Sequence, residues 1–201
     1  MVRKIVAALF MSLDGVVESP ENWGFQYFSE EMTAAVNDGI AQADSVLLGR
    51  TYLEFAEIWP GQGSDVPMSE FLNGSHKYVA SSTLDELEWG PASLLTGDLT
   101  EELVTLKRRA GRNIQIPGSP TLVRSLLRDG LLDELSLSIC PIVVGPGLRL
   151  FEDVQDEVPL KVLRSAVFSN GVINVTYEPA SAPQAPDEVA VVTFPEPERI
   201  G

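Results

Sequence analysis

The sequence predicts an α/β protein in which a mostly parallel central sheet is flanked by helices. Short apolar runs, such as residues 4–11 and 45–48, alternate with helical patterns. The first run is apolar without interruption, as expected for a strand that is covered on both faces. Asn170-Gly171 lies between two alternating segments near the end of this region and indicates an antiparallel hairpin.

The elements follow each other along the chain. After the strand at 4–11, Ser29 precedes two acids and apolar residues spaced by four, which predicts a helix capped by Ser29. A second helix is predicted to start at Thr100 and to end before Gly111. Further strands are predicted at 45–48, 77–80, 93–96 and 134–144.

Residues 114–130 form the clearest strand–helix unit. An apolar strand end meets Pro117-Gly118, and Ser119 is predicted to cap the following helix. Pro120 suits the first helical position and Gly130 suits the end of the helix.

The length of 201 residues suits one folded domain, which we place at 1–178. Residues 179–201 begin with a Pro/Ala-rich stretch that is typical of a flexible linker. The run 189–194 either adds an edge strand, in this subunit or in a partner, or is disordered.

Composition excludes several functions. A net charge of −15 argues against nucleic acids and anionic membranes as partners, and no apolar run is long enough for a membrane span. One cysteine and one histidine cannot build a zinc site, so no metal is expected. Cys140 is predicted on a buried strand and His76 in a solvated turn. A cytoplasmic protein is the expectation.

Two strand ends carry glycine and hydroxyl groups. Gly49-Arg50-Thr51 follows one strand, and 116–121 follows another. Ligands of open α/β sheets bind at the carboxyl ends of strands, where glycine permits close approach and arginine suits phosphate. Two simpler interpretations stay open: Gly49 marks a tight turn, and Arg50 pairs with Glu54 along a helix.

The order of these segments resembles a known family. IVAALFMSLDG, SVLLGRTYLEF, KYVASS, IQIPGSPTLVRSLL and DELSLSICPIVVGPGLRLF occur in that order. They resemble the dihydrofolate-reductase-like superfamily, and more closely the C-terminal reductase domain of the bacterial riboflavin-biosynthesis deaminase-reductase and its stand-alone relatives. The resemblance spans about residues 3–178. It implies a mostly parallel sheet flanked by helices, an antiparallel C-terminal strand and a homodimer.

The resemblance also implies that NADPH is the cofactor. It places the adenosine-side phosphates at Gly49, Arg50 and Thr51, and the 2′-phosphate beside Ser81 and Ser82. It places the nicotinamide beside Ala7 and Ala8 of the first strand. The pyrophosphate would lie at the second glycine segment, Gly118, Ser119, Pro120, Thr121 and Leu122.

The chain also departs from this family. The zinc deaminase pattern is absent, and no lysine or arginine lies between Lys4 and Arg50 or between Arg50 and Lys77. Because a buried anion needs a cation or dedicated N–H groups, this argues against a phosphorylated or carboxylated substrate, unless Arg149 supplies the charge. A neutral or cationic heterocycle is expected instead, bound by Trp23, Phe28 and Glu30, while Phe25 and Trp59 are expected to pack in loops.

Asp14 is the catalytic candidate. It follows a buried strand, where desolvation would raise its pKa and let it protonate a C=N or C=O group after hydride transfer. The alternatives are that Asp14-Gly15 only forms a turn, and that Glu30 or Glu31 donates the proton.

The predicted function is therefore NADPH-dependent reduction of a small heterocyclic substrate. Three alternatives stay open: the riboflavin-pathway reductase that acts on a phosphoribosylamino-pyrimidine, a dimer that binds a nucleotide without catalysis, and a pocket that binds a flavin or deazaflavin.

Overall fold

The computed structural model describes residues 3–66, 68–152, 154 and 156–181. Its centre is an eight-stranded sheet with the strand order β4-β3-β2-β5-β1-β6-β8-β7. The strands are β1 (Ile5–Ser12), β2 (Ala43–Leu48), β3 (His76–Ala80), β4 (Ala92–Leu95), β5 (Asn113–Ile116), β6 (Glu134–Cys140), β7 (Leu160–Val167) and β8 (Ile173–Pro179).

The first six strands in this spatial order, β4, β3, β2, β5, β1 and β6, run parallel to each other. Strand β8 is antiparallel to both of its neighbours, β6 and β7. This confirms the predicted fold class. The helices are α1 (Glu30–Ala41), α2 (Tyr52–Ile58), α3 (Ser69–Gly74), α4 (Leu99–Arg108) and α5 (Pro120–Arg128). None of the helices described is long and apolar enough to cross a membrane.

Alternation along β1 divides the core between the two faces of the sheet. Ile5, Ala7 and Leu9 are buried on the face that α4 and α5 cover. Met32 of α1 packs with Cys140 on the other face, and α2 and α3 cover β2 and β3 there. Cys140 is fully buried, as predicted, and burial raises the pKa of its thiol to about 11.

Local signals fix several helix and strand ends. The hydroxyl of Ser29 accepts a hydrogen bond from Met32 N and caps α1 as predicted. The predicted start of α4 at Thr100 is wrong, because the carboxylate of Asp98 caps the helix by accepting from Glu101 N. The predicted strand 134–144 is too long: β6 ends at Cys140, and Pro141 follows, which has no N–H to continue the ladder.

The predictions for His76 and for the C-terminal tail have different outcomes. His76 is the first residue of β3 and is half-buried, with Nε2 3.0 Å from Ser93 Oγ, so the predicted solvated turn is wrong. The predicted hairpin at Asn170-Gly171 is confirmed between β7 and β8. The predicted strand at 189–194 lies outside the described residues.

Lys77 of β3 places a buried charge under the end of α3. Its side chain is fully buried, and Nζ donates to the carbonyl oxygens of Asn73 (3.1 Å) and Ser75 (3.0 Å) at the end of α3. Nζ also lies 4.3 Å from the centroid of the Trp89 ring, a cation–π contact. Burial lowers the pKa of this ammonium group to about 8.

Candidate functional site

The two glycine-bearing strand ends meet in space. The hydroxyl of Ser119 accepts a hydrogen bond from Gly49 N (3.2 Å) and shares a 2.5 Å hydrogen bond with the hydroxyl of Thr51. A Cβ atom on Gly49 would lie 3.3 Å from Ser119 Oγ, and one on Gly118 would lie 3.3 Å from the Phe55 ring. We call residues 49–51 and 118–122 together the glycine corner. Two segments about 70 residues apart therefore form one surface.

Ser119 does not cap α5, so that prediction is wrong. Its backbone lies in the left-handed region, with φ 63° and ψ 70°, and its side chain makes no capping hydrogen bond. The hydroxyl is used instead by the facing segment of the glycine corner. Neither Ser119 nor Thr51 therefore presents a fully free hydroxyl, contrary to the expectation that both are available to an anion.

The start of α5 keeps its backbone donors. Pro120 occupies the first turn, and that turn contains no acidic residue. Helix geometry leaves the N–H groups of Thr121 and Leu122 without intrahelical partners. By contrast, α1 and α4 both carry two glutamates in their first turns. The positive end of the α5 dipole is therefore not neutralised by its own first turn.

Arg50 lies exposed on the glycine corner. No ion pair of Arg50 occurs among the described residues, so the alternative pairing with Glu54 is not formed. Elsewhere, cations such as Arg3 and Lys107 are paired with aspartates. The glycine corner thus holds a cation that is available to a ligand.

Ser81 and Ser82 follow β3, which lies next to β2. The register pairs Leu48 with Val79, so both serines leave the sheet beside the glycine corner. The hydroxyl of Ser81 accepts hydrogen bonds from Thr83 N and Leu84 N, both 3.2 Å, whereas Ser82 is exposed. The structure therefore leaves Ser82 more available than Ser81.

The two alanines of β1 have different surroundings. Ala7 is fully buried against the α4 and α5 side, whereas Ala8 and Phe10 on the opposite face are partly exposed. The helices therefore do not cover this part of the central strand completely, and we call the partly exposed surface above Ala8 and Phe10 the cleft. The Ala7 side chain does not reach that cleft, but the Ala8 side chain faces the same side as Phe10.

The predicted aromatic residues separate into cleft and core. The ring centroid of Phe28 lies 5.6 Å from that of Phe10, which places Phe28 at the cleft. Trp23 is only 8% exposed, packs with Met32 and donates its ring N–H to Glu18 O, so its side chain belongs to the core. Phe25 is 65% exposed, and its ring meets the Phe28 ring edge-on with centroids 6.2 Å apart, so it packs within its loop as expected.

Three carboxylates near the ends of β1 and β6 hold loops together. Asp14 accepts hydrogen bonds from Val144 N (3.0 Å), Gly145 N (2.9 Å) and the Ser12 hydroxyl. Glu18 accepts from Leu148 N, and Glu31 accepts from the N–H and hydroxyl of Ser169. We call Asp14, Glu18, Glu31 and the backbone segments that they bind the carboxylate corner.

The expected rise in the pKa of Asp14 is wrong. The Val144 N–H, the Ser12 hydroxyl and the Gly145 N–H hold the pKa of Asp14 far below its usual range. The Ser169 hydroxyl and N–H likewise lower the pKa of Glu31. Asp14 is therefore ionised at neutral pH, and its contacts match the alternative in which it stabilises a turn. A catalytic role for Asp14 stays a prediction.

The side chains of Glu30 and Arg149 differ in their hydrogen bonds to other parts of the protein. Glu30 is exposed at the start of α1, and no hydrogen bond to its side chain occurs among the described residues. Arg149 donates to Asp14 O (3.1 Å) and Gly145 O (2.8 Å), so it belongs to the carboxylate corner. These hydrogen bonds make the Arg149 guanidinium less available to an anionic substrate.

Sequence reasoning missed two residues of the site. Phe55 forms a wall beside Gly118, and Phe10 supports Phe28. Phe55 lies four residues after Thr51 on α2, a helical spacing that could have identified it. Among the described residues no group of histidine, cysteine or carboxylate side chains could hold a metal ion.

Comparison with known proteins first defines the fold. Dihydrofolate reductase from Enterococcus faecalis, complexed with NADP(H) and RAB-propyl, superposes with a TM-score of 0.54 at 13% identity, covering 90% of this chain and 100% of that one. A Shewanella sp. PV-4 protein provisionally named for riboflavin biosynthesis superposes with a TM-score of 0.69 at 21% identity, covering 90% and 100%. The protein therefore has a dihydrofolate-reductase-like fold.

The sequence then defines the family. Residues 3–174 match the RibD C-terminal domain, and the chain belongs to that family. The uncharacterized protein YyaP of Bacillus subtilis (strain 168) is 30% identical over 185 residues, which cover 87% of this chain and 94% of YyaP. A Thermotoga maritima deaminase/5-amino-6-(5-phosphoribosylamino)uracil reductase shares the fold with a TM-score of 0.62 at 17% identity. The match covers 89% of this chain but only 57% of that protein.

Proposed function

We propose that the protein is an NADPH-dependent reductase of a small heterocyclic substrate. Membership in the RibD C-terminal domain family implies oxidoreductase activity. The observation that carries NADPH is the glycine corner, where an unpaired Arg50 lies on the same surface as the open N-terminus of α5. An uncapped helix start and a guanidinium are a suitable pair for a pyrophosphate and a further phosphate.

The fit of NADPH follows from the residues that the chain offers. Small residues at Gly49 and Gly118 let a phosphate approach the backbone, and Thr121 and Leu122 offer N–H groups. Ser82 lies beside the neighbouring strand end, where a 2′-phosphate would be held together with Arg50. Bound NADPH would supply the hydride, and the protein would supply orientation and exclusion of water.

The substrate is proposed to occupy the cleft above Ala8 and Phe10. Phe28 gives this cleft an aromatic wall, and Glu30 gives it an uncommitted carboxylate. One turn further along α1, Thr33 begins a groove of about 280 Å³. That groove contains two carboxylates and no lysine or arginine. Its lining residues are Thr33, Asn37, Ile40, Ser64, Asp65, Val66, Met68, Glu70 and Phe71.

These charges favour a neutral or cationic heterocycle over an anionic one. A phosphorylated substrate would meet the exposed carboxylate of Glu30, and Arg149 is already bound to the carboxylate corner. In this proposal Asp14 positions the loop at residues 143–149, and the proton reaches the product from Glu30 or from water. The reductase acting on a phosphoribosylamino-pyrimidine, as the Thermotoga protein does, is the competing hypothesis.

The cofactor proposal is tested by titrating the protein with NADPH and NADH. The replacement Arg50→Ala should weaken NADPH binding by about 10- to 100-fold, because a charge-assisted hydrogen bond to phosphate is lost, and should affect NADH much less. Arg108→Ala, at the exposed end of α4, is the matched control and should leave both affinities unchanged. Equal losses for both dinucleotides would contradict the 2′-phosphate role, and absence of NADPH binding would contradict the function.

The substrate proposal is tested by following NADPH oxidation with carbonyl, imine and pterin compounds in neutral, cationic and anionic forms. Neutral and cationic forms should react faster than anionic forms, and Glu30→Gln should lower kcat/KM more for cationic than for neutral compounds. Glu57→Gln, on the exposed side of α2, is the control. Preference for a phosphorylated pyrimidine would support the riboflavin-pathway reductase. Binding of NADPH without any oxidation would support a nucleotide-binding dimer.

The homodimer is proposed to form along β7. This edge strand is exposed along 161–167 and presents Val162 (50% exposed) and Val167 (73% exposed). Edge strands with apolar residues pair readily with another chain. β7 contains no acid, and its cations pair with Glu178 and Glu134, so two copies of this acidic chain would meet there with little repulsion.

Mass measurement by light scattering tests the dimer. The protein should have the mass of two 21.8 kDa chains, and Val162→Glu should reduce it to one. Leu53→Glu, at an equally exposed position on α2, should leave the dimer intact. A monomeric native protein would refute this interface, whereas a dimer that survives Val162→Glu would place the interface elsewhere.

A further inference from the structure

We infer that Ser119 is a positioning residue that joins the two halves of the glycine corner into a preformed cradle. This inference rests on the proposed function, because the cradle is the part of the site that would hold the dinucleotide phosphates. It assigns to the Ser119 hydroxyl a contact with protein atoms of the facing segment, Gly49 N and Thr51 Oγ1, rather than with the ligand.

The hydrogen-bonding capacity of the two hydroxyls supports this role. Ser119 Oγ accepts from Gly49 N, and the Ser119–Thr51 hydrogen bond uses a donor proton from one of the two hydroxyls. Ser119 is only 4% exposed, so its remaining capacity does not face solvent. A buried hydroxyl that already has two protein partners is suited to joining segments.

The backbone of Ser119 gives a second, independent observation. A φ of 63° is unfavourable for a residue with a Cβ atom, and only three non-glycine residues among those described have a positive φ. Such a conformation has an energetic cost and persists only when the surroundings enforce it. Glycine would remove that cost but also the hydroxyl. The presence of serine is therefore explained by the contact that its hydroxyl makes.

The packing around Ser119 shows what the contact positions. A Cβ atom on Gly49 would lie 3.3 Å from Ser119 Oγ and 3.7 Å from the Leu122 side chain, so the two segments are already close together. The contact holds the segment that carries Arg50 against the first turn of α5. Without it, the cation and the helix N-terminus would have to be brought together when the ligand binds, which lowers affinity.

Two replacements separate the hydroxyl from the backbone strain. Ser119→Ala removes the hydroxyl and keeps the strain, whereas Ser119→Gly removes both. Both should weaken NADPH and NADH by a similar factor of about 5- to 10-fold, because the hydrogen bonds of one hydroxyl are lost and both dinucleotides use the cradle. This equal loss differs from that expected for Arg50→Ala, which discriminates between the dinucleotides. Ser125→Ala, further along α5, is the control and should change neither affinity.

A double-mutant cycle tests whether Ser119 and Thr51 act together. Thr51→Val is nearly isosteric and should reproduce the Ser119→Ala loss, and the double variant should lose no more than either single variant. Thr51→Ser keeps a hydroxyl and should retain most of the affinity. Additive losses, or a Ser119→Gly variant that binds as tightly as the native protein, would overturn the inference.

Hydrogen exchange without ligand separates this inference from the proposed function. The Gly49 amide should exchange at least several-fold faster in Ser119→Ala than in the native protein, while amides of β6 should not change. Unchanged exchange at Gly49 would refute the positioning role even if NADPH binds tightly. Faster exchange in a protein that does not bind NADPH would retain the positioning role and refute only the cofactor assignment.

Discussion

The glycine corner and the carboxylate corner both lie at the carboxyl ends of parallel strands, but their polar groups are used differently. In the glycine corner, Arg50 and the first N–H groups of α5 are left without described side-chain partners. In the carboxylate corner, Asp14, Glu18 and Glu31 all accept hydrogen bonds from the loops that they hold. Charged residues near a strand end are therefore evidence for a ligand only where the fold does not already satisfy them.

This comparison also explains why the two corners suit different molecules. The glycine corner combines small residues with the Arg50 guanidinium and the free N–H groups of α5, on which the proposed phosphate site rests. The carboxylate corner lies beside an aromatic cleft and contributes negative charge, with Arg149 bound to its own loop. Four predictions should break or sharpen this difference.

The largest expected effect comes from comparing glycines of the two corners. Gly147 has a φ of +131°, and a Cβ there would lie 2.7 Å from Val16 Cγ1, so Gly147→Ala should cost about 2–3 kcal/mol of unfolding free energy. Gly49→Ala should cost less but should weaken NADPH binding, because its Cβ would press on Ser119 Oγ. Urea unfolding and NADPH titration check both. A Gly147→Ala variant with native stability would show that the carboxylate-side loop is not fixed.

The next effect is a pH dependence that differs between the two halves of the sheet. Lys77 is the second residue of β3, and its pKa of about 8 is below its ordinary value of 10.5. Between these pH values the unfolded chain binds more protons, so stability should rise with pH, by at most about 1.4 kcal/mol per pH unit. Cys140 lies at the end of β6, and its pKa of about 11 exceeds the ordinary value of 9, so its contribution should fall between pH 9 and 11.

Urea unfolding between pH 7 and 11 separates these two contributions. Lys77→Met should abolish the rise between pH 8 and 9, where Cys140 does not act. Cys140→Ala should extend the rise towards pH 10.5. If Lys77→Met retains the rise, another group is responsible and the Lys77 ammonium is better solvated than its buried contacts imply.

A smaller effect is expected at acid pH in the carboxylate corner. The lowered pKa of Asp14 means that its contribution to stability is full above its ordinary pKa of 3.8 and is lost as the pH falls below it. Asp14→Asn should therefore be less stable than the native protein at pH 7, and the difference should shrink by pH 2.5. Asp38→Asn, on the exposed part of α1, is the control. A difference that is constant with pH would show that the Asp14 charge contributes nothing.

The smallest effect is expected for Phe25. Because its side chain is 65% exposed, Phe25→Ser should change the unfolding free energy by less than about 0.5 kcal/mol. Phe28→Ser, whose ring packs on Phe10, should destabilise the protein measurably and impair the cleft. Equal effects of the two replacements would show that the Phe25–Phe28 contact contributes as much as the Phe10–Phe28 contact and would contradict this prediction.

The sequence by itself determined the architecture and the location of the glycine corner. Apolar runs and turn residues are local signals, and they located β1 to β5, α1, α5 and the β7–β8 hairpin because each element is specified by neighbouring residues. The order of the motifs placed the chain in a family to which residues 3–174 belong. A local rule failed at Ser119, because its side chain forms hydrogen bonds with residues that are distant in the sequence.

Only the tertiary structure decided which polar groups stay available. Ser119 forms hydrogen bonds with a segment about 70 residues earlier in the chain, and Asp14 accepts hydrogen bonds from amides about 130 residues later. No local sequence pattern predicts such distant partners. The protonation state of Asp14 followed from those amides rather than from its place after a buried strand. Hydrogen-bond partners and solvent exposure depend on the whole packed chain, and these two quantities determine whether a polar residue can bind a ligand.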